Sequence, residues 1–393
     1  MELNKKKKLI RITTVPIALK YLLAGQMRYM AGNGFDVIMV SADGEGREDV
    51  IKQEGCVHKI VPMTRKITPF SDIASLWKLY LLFRREKPDI VHSHTPKAGL
   101  LSMLAAKAAG VKIRVHTVAG LRFMTATGTT RSLLIQMEKL TASAATQVWP
   151  NSFSLLNYIR AKNLVRTAKL DVIGGGSSNG INLSRFSPSA LNVQHLKKVK
   201  DSIRYDAKLT YFLCVGRIVK DKGINELLTA FRKLYDKDNL LRLILVGSAE
   251  DELDPVSPIS KEILNSHPGI IQTGWREDVE YFMSFSFAVV HPSYREGFPN
   301  VLLQAGAMHC PVISSRIAGN VDIIEHEKTG LLFEAGNAED LQTRIQDSLW
   351  NRGKLEHYSD NLRLKIERQF DQKIIHEGLK RKYLELLKLN EID

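Results

Sequence analysis

The stretch LTYFLCVGRIVKDKG, residues 209–223, joins two patterns that decide the fold class. Its first part is a short apolar run with the length and composition of a buried β-strand. Gly216 follows directly, and a glycine at the carboxyl end of a strand lets the backbone turn sharply and a ligand approach closely. Arg217 offers a planar fork of N–H donors and Lys222 a compact charge, which together suit a diphosphate. Taken alone, the stretch is equally compatible with a solvated turn that carries incidental charges.

Strand-like runs recur along the chain and alternate with amphipathic stretches of helical length. The first half carries them at residues 10–15, 37–41, 90–94, 113–117 and 147–149. The second half carries them at residues 209–215, 241–246, 270–273, 288–291, 312–314 and 330–333. Such alternation predicts parallel sheets built from right-handed βαβ units. Two sets of strands in 393 residues therefore predict an α/β protein with two Rossmann-like, doubly wound domains, each binding ligands at the carboxyl ends of its strands.

A loop around residues 174–188 separates the two sets of strands. We therefore expect an N-terminal domain at residues 1–185 and a C-terminal domain at residues 186–370. Residues 371–393 are rich in Lys and Glu and predict an amphipathic helix that packs across a surface and can cross back to the N-terminal domain.

Composition narrows the class of protein. Hydrophobic residues make up 44% of the chain and charged residues 25%, the balance of a soluble globular protein. Cys56, Cys214 and Cys310 are widely spaced and fit no metal or redox motif, which indicates buried thiols in a reducing compartment. The basic start precedes only a short apolar run, which is typical of a strand rather than a signal peptide. Since no stretch approaches ~18 apolar residues, we expect a cytoplasmic protein without a membrane span.

The net charge of +14 is concentrated in the first half. Residues 1–185 hold 28 Lys and Arg against 12 Asp and Glu, whereas the remainder holds 28 against 30. This asymmetry predicts an anionic partner: nucleic acid, a lipid surface or a phosphorylated acceptor. The helical stretch 70–85 mixes Leu, Trp, Tyr and Phe with Lys and Arg, which suits the headgroup layer of an anionic membrane. The plainer alternative is that its apolar side packs on the sheet.

A second strand-end motif is HPSYREGFPNVLLQAG, residues 291–306. A strand ends at His291, and Pro299 is expected in the first turn of the next helix, where its missing N–H is not needed. The N–H groups of that turn and the helix dipole form an anion site. Glu296, just before the helix, can accept hydrogen bonds from sugar hydroxyls. An ordinary loop between strand and helix is the alternative.

Taken together, these motifs resemble the glycosyltransferases of family 4, which have the GT-B fold. The resemblance rests on residues 216–217, 222–223, 296–299, 311–324 and 329–333 in the second half, and on residues 179–188 and 92–99 in the first. The segment HSHTPKAG at residues 92–99 resembles bacterial members that extend lipid-linked glycans and capsular polysaccharides.

The resemblance implies a reaction as well as a fold. It implies two domains facing a cleft and retaining transfer of a sugar from a nucleotide diphosphate, UDP above all. The acceptor would be a polyprenyl-diphosphate-linked glycan or a polysaccharide, at the inner face of the cytoplasmic membrane. Neither a metal ion nor a cofactor is expected, because Arg, Lys and the helix dipole would do the electrophilic work.

The resemblance also implies roles for residues of the second half. Arg217 and Lys222 would hold the donor diphosphate and stabilise it as it leaves, and Glu296 would contact the donor sugar. The further donor contacts that it implies are Gly216, Trp275, Arg276, Gly297, Phe298, Pro299, Asn300 and Val301. Gln304 stands where the family has a second glutamate that binds the ribose. Its amide oxygen can still accept one hydrogen bond, but the charge is missing.

Three residues of the first half are candidates for contacts with sugar or acceptor. His116 follows a strand and resembles a family position near the donor sugar and acceptor, so it is counted with the catalytic candidates. A structural role is the alternative for a histidine at a strand end. His94 and Lys97 begin a helix and can bind an acceptor phosphate, or they mark a plain helix start.

Other classes of protein fit the sequence less well. A sugar-nucleotide epimerase of the same fold would need paired carboxylates around the sugar, and none stands out in the first half. A dinucleotide-dependent oxidoreductase is disfavoured because the first strand is followed by Thr13-Thr14-Val15-Pro16-Ile17 rather than by G-x-G-x-x-G. Nucleic-acid binding is disfavoured because the basic half has no such motif and no aromatic stacking array. The triplet Asp236-Lys237-Asp238 ends a helical pattern and is interpreted as solvated surface rather than a metal site.

Overall fold

The computed structural model describes residues 6–66, 68–250 and 254–392. The start of the basic N-terminal segment, residues 1–5, lies outside them. The chain divides into two compact units: residues up to Asn179 together with those from Lys373 onward, and Gly180–Gln372.

The strands of the first unit are β1 (Lys7–Ile12), β2 (Phe35–Ser41), β3 (Val57–Ile60), β4 (Ile90–Ser93), β5 (Ile113–Val118) and β6 (Gln147–Pro150). Its helices up to residue 179 are α1 (Pro16–Leu22), α2 (Gln26–Gly32), α3 (Arg47–Glu54), α4 (Pro69–Glu86), α5 (Pro96–Ala108), α6 (Gly128–Ala144) and α7 (Phe153–Ala161). The strands run parallel in the order β3-β2-β1-β4-β5-β6.

The strands of the second unit are β7 (Thr210–Val215), β8 (Leu241–Val246), β9 (Ile270–Gly274), β10 (Ala288–His291), β11 (Val312–Ser315) and β12 (Leu331–Phe333). Its helices are α8 (Val193–Ser202), α9 (Ile224–Tyr235), α10 (Pro258–Ser266), α11 (Val279–Met283), α12 (Asn300–Ala307), α13 (Asn320–Ile323), α14 (Ala338–Trp350) and α15 (Arg352–Gln369). The parallel order β12-β11-β10-β7-β8-β9 repeats the order of the first unit. Both sheets therefore have the Rossmann-like, doubly wound topology that the alternation of elements predicts.

The last helix, α16 (Gln372–Ile392), packs on the first sheet. Leu379, Tyr383 and Leu387 are buried in one cluster with residues of β1 and β2. The Tyr383 ring lies 5.9 Å from that of Phe35, centroid to centroid. Because these apolar positions recur at helical spacing, they give α16 one buried face. Over the described ranges, no helix combines the length and apolarity needed to cross a membrane.

The boundary between the units falls earlier than residues 185/186, where the sequence placed it. Ile181 and Phe186 are buried in a core cluster of the second unit. The Ile181 N–H donates to the Phe370 carbonyl at 2.8 Å, and the Arg185 guanidinium pairs with Glu280 at 2.9 Å. The loop that separates the two sets of strands thus folds with the second unit from Gly180 onward.

Strand β3 was not predicted from the sequence, and the reason is physical. It forms the edge of the sheet, and Val57 and Ile60 are 56% and 44% exposed. His58 and Lys59 lie between them, so the strand has no run of buried apolar residues. Strand β1 also begins at Lys7, earlier than expected, because Lys8 is held by Asp89 through its N–H (2.7 Å) and by Glu86 through Nζ (3.1 Å).

Candidate functional site

The order of strands marks one position in the second unit where a ligand site is expected. β7 and β10 are neighbours, yet the chain leaves β7 toward β8 on one side and β10 toward β11 on the other. Such a switch point opens a crevice at the carboxyl ends of the two strands. The loops that leave there, residues 216–223 and 292–299, are the two that carry the sequence motifs.

The two loops are bonded to each other through backbone and side-chain groups. The Tyr294 N–H donates to the Asp221 carbonyl at 3.0 Å, and the Arg295 guanidinium pairs with the Asp221 carboxylate at 2.7 Å. Gly223 has φ +68°, and a Cβ at this residue would overlap the Pro292 carbonyl oxygen. Only glycine combines that backbone conformation with that approach, so Gly223 allows one loop to lie against the other.

Because the two loops lie against each other, Lys222 contacts Glu296. The Lys222 ammonium makes a short ion pair with Glu296 Oε1, and His291 Nε2 lies 3.2 Å from the same oxygen. The side chains of Lys222 and Glu296 are only 22% and 15% exposed. The sequence singled out both of these residues, whereas it gave His291 no role beyond ending a strand.

The surroundings of Glu296 keep it ionised. Burial by itself would raise the pKa of this carboxyl group, but the Lys222 ammonium and His291 outweigh burial and hold the pKa well below its usual range. The crevice therefore contains a fixed anion next to a fixed cation. A carboxylate in this state accepts hydrogen bonds from hydroxyls, and an ammonium binds phosphate oxygens.

Helix α12 begins at the end of the second loop. Asn300 is its first helical residue and Pro299 caps it, one position before the first turn in which the sequence placed this proline. Phe298 is buried, with its ring 5.3 Å from that of Phe370, and fixes the approach to the helix. Gly297 lies against Gly319, where a Cβ would stand 2.5 Å from the Gly297 carbonyl oxygen. The first turn of α12 thus starts from a packed loop.

Asn300, Val301 and Gln304 are half-buried on α12, and α12 follows Glu296 directly in the chain. The amino end of a helix carries partial positive charge and N–H groups that suit a phosphate. The predicted donor contacts between Glu296 and Gln304 therefore belong to one loop-and-helix element at the switch point.

Arg217 lies apart from this pair. Its guanidinium is 2.5 Å from Glu250 Oε2, and its side chain is 48% exposed. Gly216 precedes it at the end of β7, with φ +154°. The structure thus joins Lys222 to Glu296 but holds Arg217 on Glu250, a carboxylate after β8 that sequence reasoning did not identify.

Trp275 and Arg276 follow β9 at the same edge of the sheet. The Trp275 side chain is 59% exposed. The Arg276 guanidinium makes two hydrogen bonds to Asp278, at 2.8 Å and 2.7 Å, and these bonds raise its pKa. The guanidinium is therefore occupied within the domain, which leaves the backbone at residues 275–276 as the segment that the sequence associated with the base.

The first unit has the equivalent switch point between β1 and β4. His94, just after β4, is buried, and its Nε2 lies 2.8 Å from the guanidinium of Arg11. Burial and then the Arg11 charge lower the pKa of His94 well below its ordinary value, so the ring is neutral. The expectation that His94 begins a helix is wrong, because α5 begins at Pro96.

Lys97 lies in the first turn of α5 and is paired within the domain. Its ammonium lies 2.7 Å from Asp72 Oδ1 and 3.1 Å from Thr68 Oγ1, and only 8% of its side chain is exposed. These bonds fasten α5 to the start of α4. The charge that was predicted to meet an acceptor phosphate is thus already paired with a carboxylate.

His116 lies within β5 rather than after the end of a strand, as the sequence had placed it, and is buried beside β4. Its Nδ1 lies 2.9 Å from Ser93 Oγ, and its ring lies against Gly99 of α5. Burial lowers the pKa of His116 to about 4, so the imidazole is neutral near pH 7. A neutral ring can form hydrogen bonds but does not supply a proton as an acid.

The remaining sequence candidates lie outside these sites. Cys56, Cys214 and Cys310 are buried free thiols, and burial raises the pKa of each, to about 12 for Cys214 and Cys310. Thiols in that state are poor nucleophiles. Residues 236–238 are exposed directly after α9 ends at Tyr235.

Comparison with known proteins agrees with this architecture. Residues 197–365 match the family model of glycosyl transferases group 1, and residues 22–176 match that of a glycosyl transferase 4-like domain. The capsular polysaccharide biosynthesis glycosyltransferase CapM of Staphylococcus aureus is 34% identical over 98% of this chain and 99% of its own. An Escherichia coli UDP-Gal:alpha-D-GlcNAc-diphosphoundecaprenol alpha-1,3-galactosyltransferase is 28% identical over 84% of this chain and 86% of its own.

Solved structures show the same fold. HepE of Anabaena, in complex with UDP and glucose, has a TM-score of 0.80 at 17% identity and covers 96% of this chain and 100% of its own. The lipopolysaccharide glycosyltransferase WaaG has a TM-score of 0.73 at 14% identity, over 94% and 98% of the two chains. The chain belongs to the family 4, group 1 glycosyltransferases of GT-B fold. It is a transferase of surface glycan biosynthesis, as the resemblance of its motifs implied.

The ion pair at the switch point gives stability a distinctive pH dependence. With Lys222 present, the low pKa of Glu296 adds stability above the ordinary carboxyl pKa of about 4.3, and this stability is lost as the pH falls. In Lys222→Met only His291 is left to oppose burial of the carboxylate, so we expect a loss of ~1–3 kcal/mol at pH 7 that shrinks toward pH 4. Thermal unfolding between pH 4 and 8 measures the gap.

Two further variants control this experiment. Lys220→Met removes an exposed lysine from the same turn and should follow the wild-type curve. Adding Glu296→Gln to Lys222→Met should recover part of the stability at pH 7, because no buried charge remains. Curves for Lys222→Met and wild type that stay parallel over the whole pH range would show that the pair does not hold Glu296 ionised.

Proposed function

We propose that this glycosyltransferase takes a sugar from a UDP-sugar, retains the anomeric configuration, and transfers it to an acceptor carried on a polyprenyl diphosphate. The observation that carries the proposal is the contact of Lys222 with Glu296 at the switch point of the second unit. A sugar diphosphate needs a cation for its phosphates and an acceptor of hydrogen bonds for its hydroxyls. The pair supplies both side by side.

When the donor binds, it would replace the carboxylates that Lys222 and Arg217 now contact. Lys222 turns from Glu296 to the diphosphate, and Arg217 turns from Glu250 to the same group. Glu296 is then released to accept hydrogen bonds from the sugar, while the amides of residues 297–301 contact sugar and phosphate. Gln304 accepts from the ribose, and the backbone at residues 275–276 meets the base.

This arrangement lowers the barrier by stabilising the leaving group. Negative charge grows on the diphosphate as the bond between the anomeric carbon and oxygen breaks. The two cations that have turned to the diphosphate, with the amino end of α12, would stabilise this charge. Retention requires that the acceptor oxygen bond to the face of the sugar from which the diphosphate departs. The complex of HepE with UDP and glucose supports a uridine nucleotide as donor.

Two relatives support the kind of acceptor. The Escherichia coli relative acts on a diphosphoundecaprenol-linked sugar, and so does a Campylobacter jejuni relative, 28% identical over 71% of this chain and 72% of its own.

In the first unit we propose that His116, as a neutral ring, contacts a sugar hydroxyl. Because His94 and Lys97 are bonded to Arg11 and Asp72, an acceptor phosphate would bind there only by replacing those partners.

Turnover tests the assignment of the two cations. Arg217→Ala and Lys222→Ala should each lower turnover at saturating UDP-sugar by roughly a hundred- to a thousandfold, the usual loss for one preorganised charge contact. Release of UDP with a polyprenyl-diphosphate-linked acceptor measures the rate, and NMR of the product reports whether an α donor gives an α linkage.

Lys220→Ala serves as the matched control, because this lysine lies on the same turn but is exposed. It should keep wild-type turnover. Either cation variant at near-wild-type turnover would remove that residue from the proposed role, and a β linkage from an α donor would exclude retention.

We also propose that the first unit docks on an anionic membrane through α4. Leu76, Leu79, Tyr80 and Phe83 pack in the core, as the plainer alternative for this helix predicts. A second apolar row nevertheless faces solvent, with exposed fractions of 91%, 68%, 58% and 49% for Phe70, Ile73, Trp77 and Leu81. We call these four residues the α4 stripe. Spacings of three and four residues place the stripe on one side of the helix.

The charges of α4 support docking on an anionic surface. The exposed cations Lys78, Arg84 and Arg85 flank the stripe. The two acidic residues of the helix are turned to partners, Asp72 to Lys97 and Glu86 to Lys8 and Arg85. Apolar residues beside cations are typical of a helix that lies in the headgroup layer. Each cation near such a surface contributes on the order of 1 kcal/mol.

Co-sedimentation with vesicles tests this docking. Binding should require anionic lipid and weaken as salt rises, because exposed charges are screened. Phe70→Ser with Trp77→Ser should weaken binding at least tenfold, since each buried aromatic side chain contributes ~1.5–3 kcal/mol.

Trp350→Ser is the matched control, because this tryptophan is 72% exposed but belongs to the second unit. Its binding should equal that of wild type. Equal recovery of wild type in the supernatant with neutral and anionic vesicles at low salt would reject the membrane and favour a soluble acceptor.

A further inference from the structure

A basic groove lies at the amino-end edge of the first unit's sheet, away from the switch point of that sheet. It has a volume of about 570 Å³ and is walled by the start of β1, the end of α4, the turn before β5 and α16. Lys7, Arg84, Lys87 and Lys112 line it, and Asp89 is the acidic residue among the lining groups. We call it the basic groove. Its volume is within the range of sites that hold small molecules.

Three of the four cations that line the basic groove have no carboxylate partner among the described side chains. Asp89 Oδ2 accepts the Lys8 N–H at 2.7 Å, so the carboxylate is turned to the backbone. Among the side chains that the structure describes, those of residues 6–66, 68–250 and 254–390, no carboxylate lies within 4 Å of the charged groups of Arg84, Lys87 or Lys112, and all three side chains are exposed. Cations at the end of α4 complement the helix dipole, which accounts for Arg84 and Lys87. It does not account for Lys112, which comes from a separate turn.

Lys87 is fixed in place by its backbone. It caps α4 in the left-handed conformation, with φ +47°, and its N–H donates to the Phe83 carbonyl at 2.9 Å. Phe83 is itself buried in the core. The backbone of Lys87 is therefore held by the end of α4, the helix that also carries Arg84.

The basic groove continues the α4 stripe. Arg84 lies three residues after Leu81, on the same side of the helix as Trp77 and Leu81. A surface that accepts the α4 stripe along its length thus meets the basic groove at the carboxyl end of α4. Apolar residues would enter the acyl boundary where the cations reach the phosphate layer.

We propose that the basic groove binds the phosphodiester headgroup of an anionic phospholipid, of the phosphatidylglycerol kind, in the membrane on which α4 lies. This inference rests on the proposed docking of the first unit. It adds a defined lipid site to the general attraction between the cations of α4 and an anionic membrane surface. The groove would fix which end of α4 meets the headgroups and would make binding depend on headgroup chemistry as well as on surface charge.

A soluble lipid tests the groove without a membrane. The full chain is titrated with dihexanoyl-phosphatidylglycerol below its micelle concentration, and dihexanoyl-phosphatidylcholine provides the neutral comparison. Lys87→Glu with Lys112→Glu should weaken binding of the phosphatidylglycerol at least tenfold. Lys237→Glu with Lys354→Glu changes the net charge equally at exposed sites of the second unit and should leave binding unchanged.

The outcomes of the two experiments distinguish the proposed lipid site in the basic groove from the proposed docking of α4 on the membrane. Vesicle binding that depends on the α4 stripe, with equal titrations for the two lysine-pair variants, would overturn the groove and leave the docking intact. Displacement of the lipid by equimolar inorganic phosphate would identify a general anion patch and overturn the lipid assignment. Failure of the wild type to bind anionic vesicles would overturn the docking and, with it, this inference.

Discussion

The contact between the Lys222 ammonium and the Glu296 carboxylate is the interaction on which the proposed donor site depends. It joins two loops that leave neighbouring strands in opposite directions, so it spans the crevice that the topology opens. Gly223 makes the contact possible, because a side chain at this residue would push the first loop away from Pro292. The cation and the carboxylate are thereby held at the loop that leads into α12, and the proposed catalysis relies on charged groups preorganised in this way.

The two units repeat one topology but use their switch points differently. In the second unit the switch point holds a partly exposed ion pair. In the first unit it holds Arg11, which is fully buried and hydrogen-bonded to Gln26 at 2.5 Å and to Tyr383 at 3.1 Å, with His94 beside it. Because Tyr383 comes from α16, the last helix helps to order the carboxyl ends of the strands of the first sheet. The same architecture thus carries an ion pair at the switch point of one unit and a packed polar network at the switch point of the other.

The sequence predicts the fold well because buried parallel strands are apolar and end at loops. Strands β8 and β10 have the expected bounds, and Lys222 and Glu296 come together because strand-end motifs of one sheet meet at one edge. Side-chain partners far apart in the chain were not predictable. Lys97 meets Asp72, and Arg217 meets Glu250, through packing of separate elements. Strand β3 and the domain boundary were missed because neither has an apolar pattern of its own.

Calorimetric titration with UDP tests most directly whether the switch point of the second unit is the donor site. Lys222→Met should raise the Kd for UDP at least tenfold, because a hydrogen bond to a charged group contributes about 1.5–3 kcal/mol. Lys220→Met should bind as the wild type does. Equal affinity of wild type and Lys222→Met for UDP would contradict the account, because the diphosphate would then be held elsewhere.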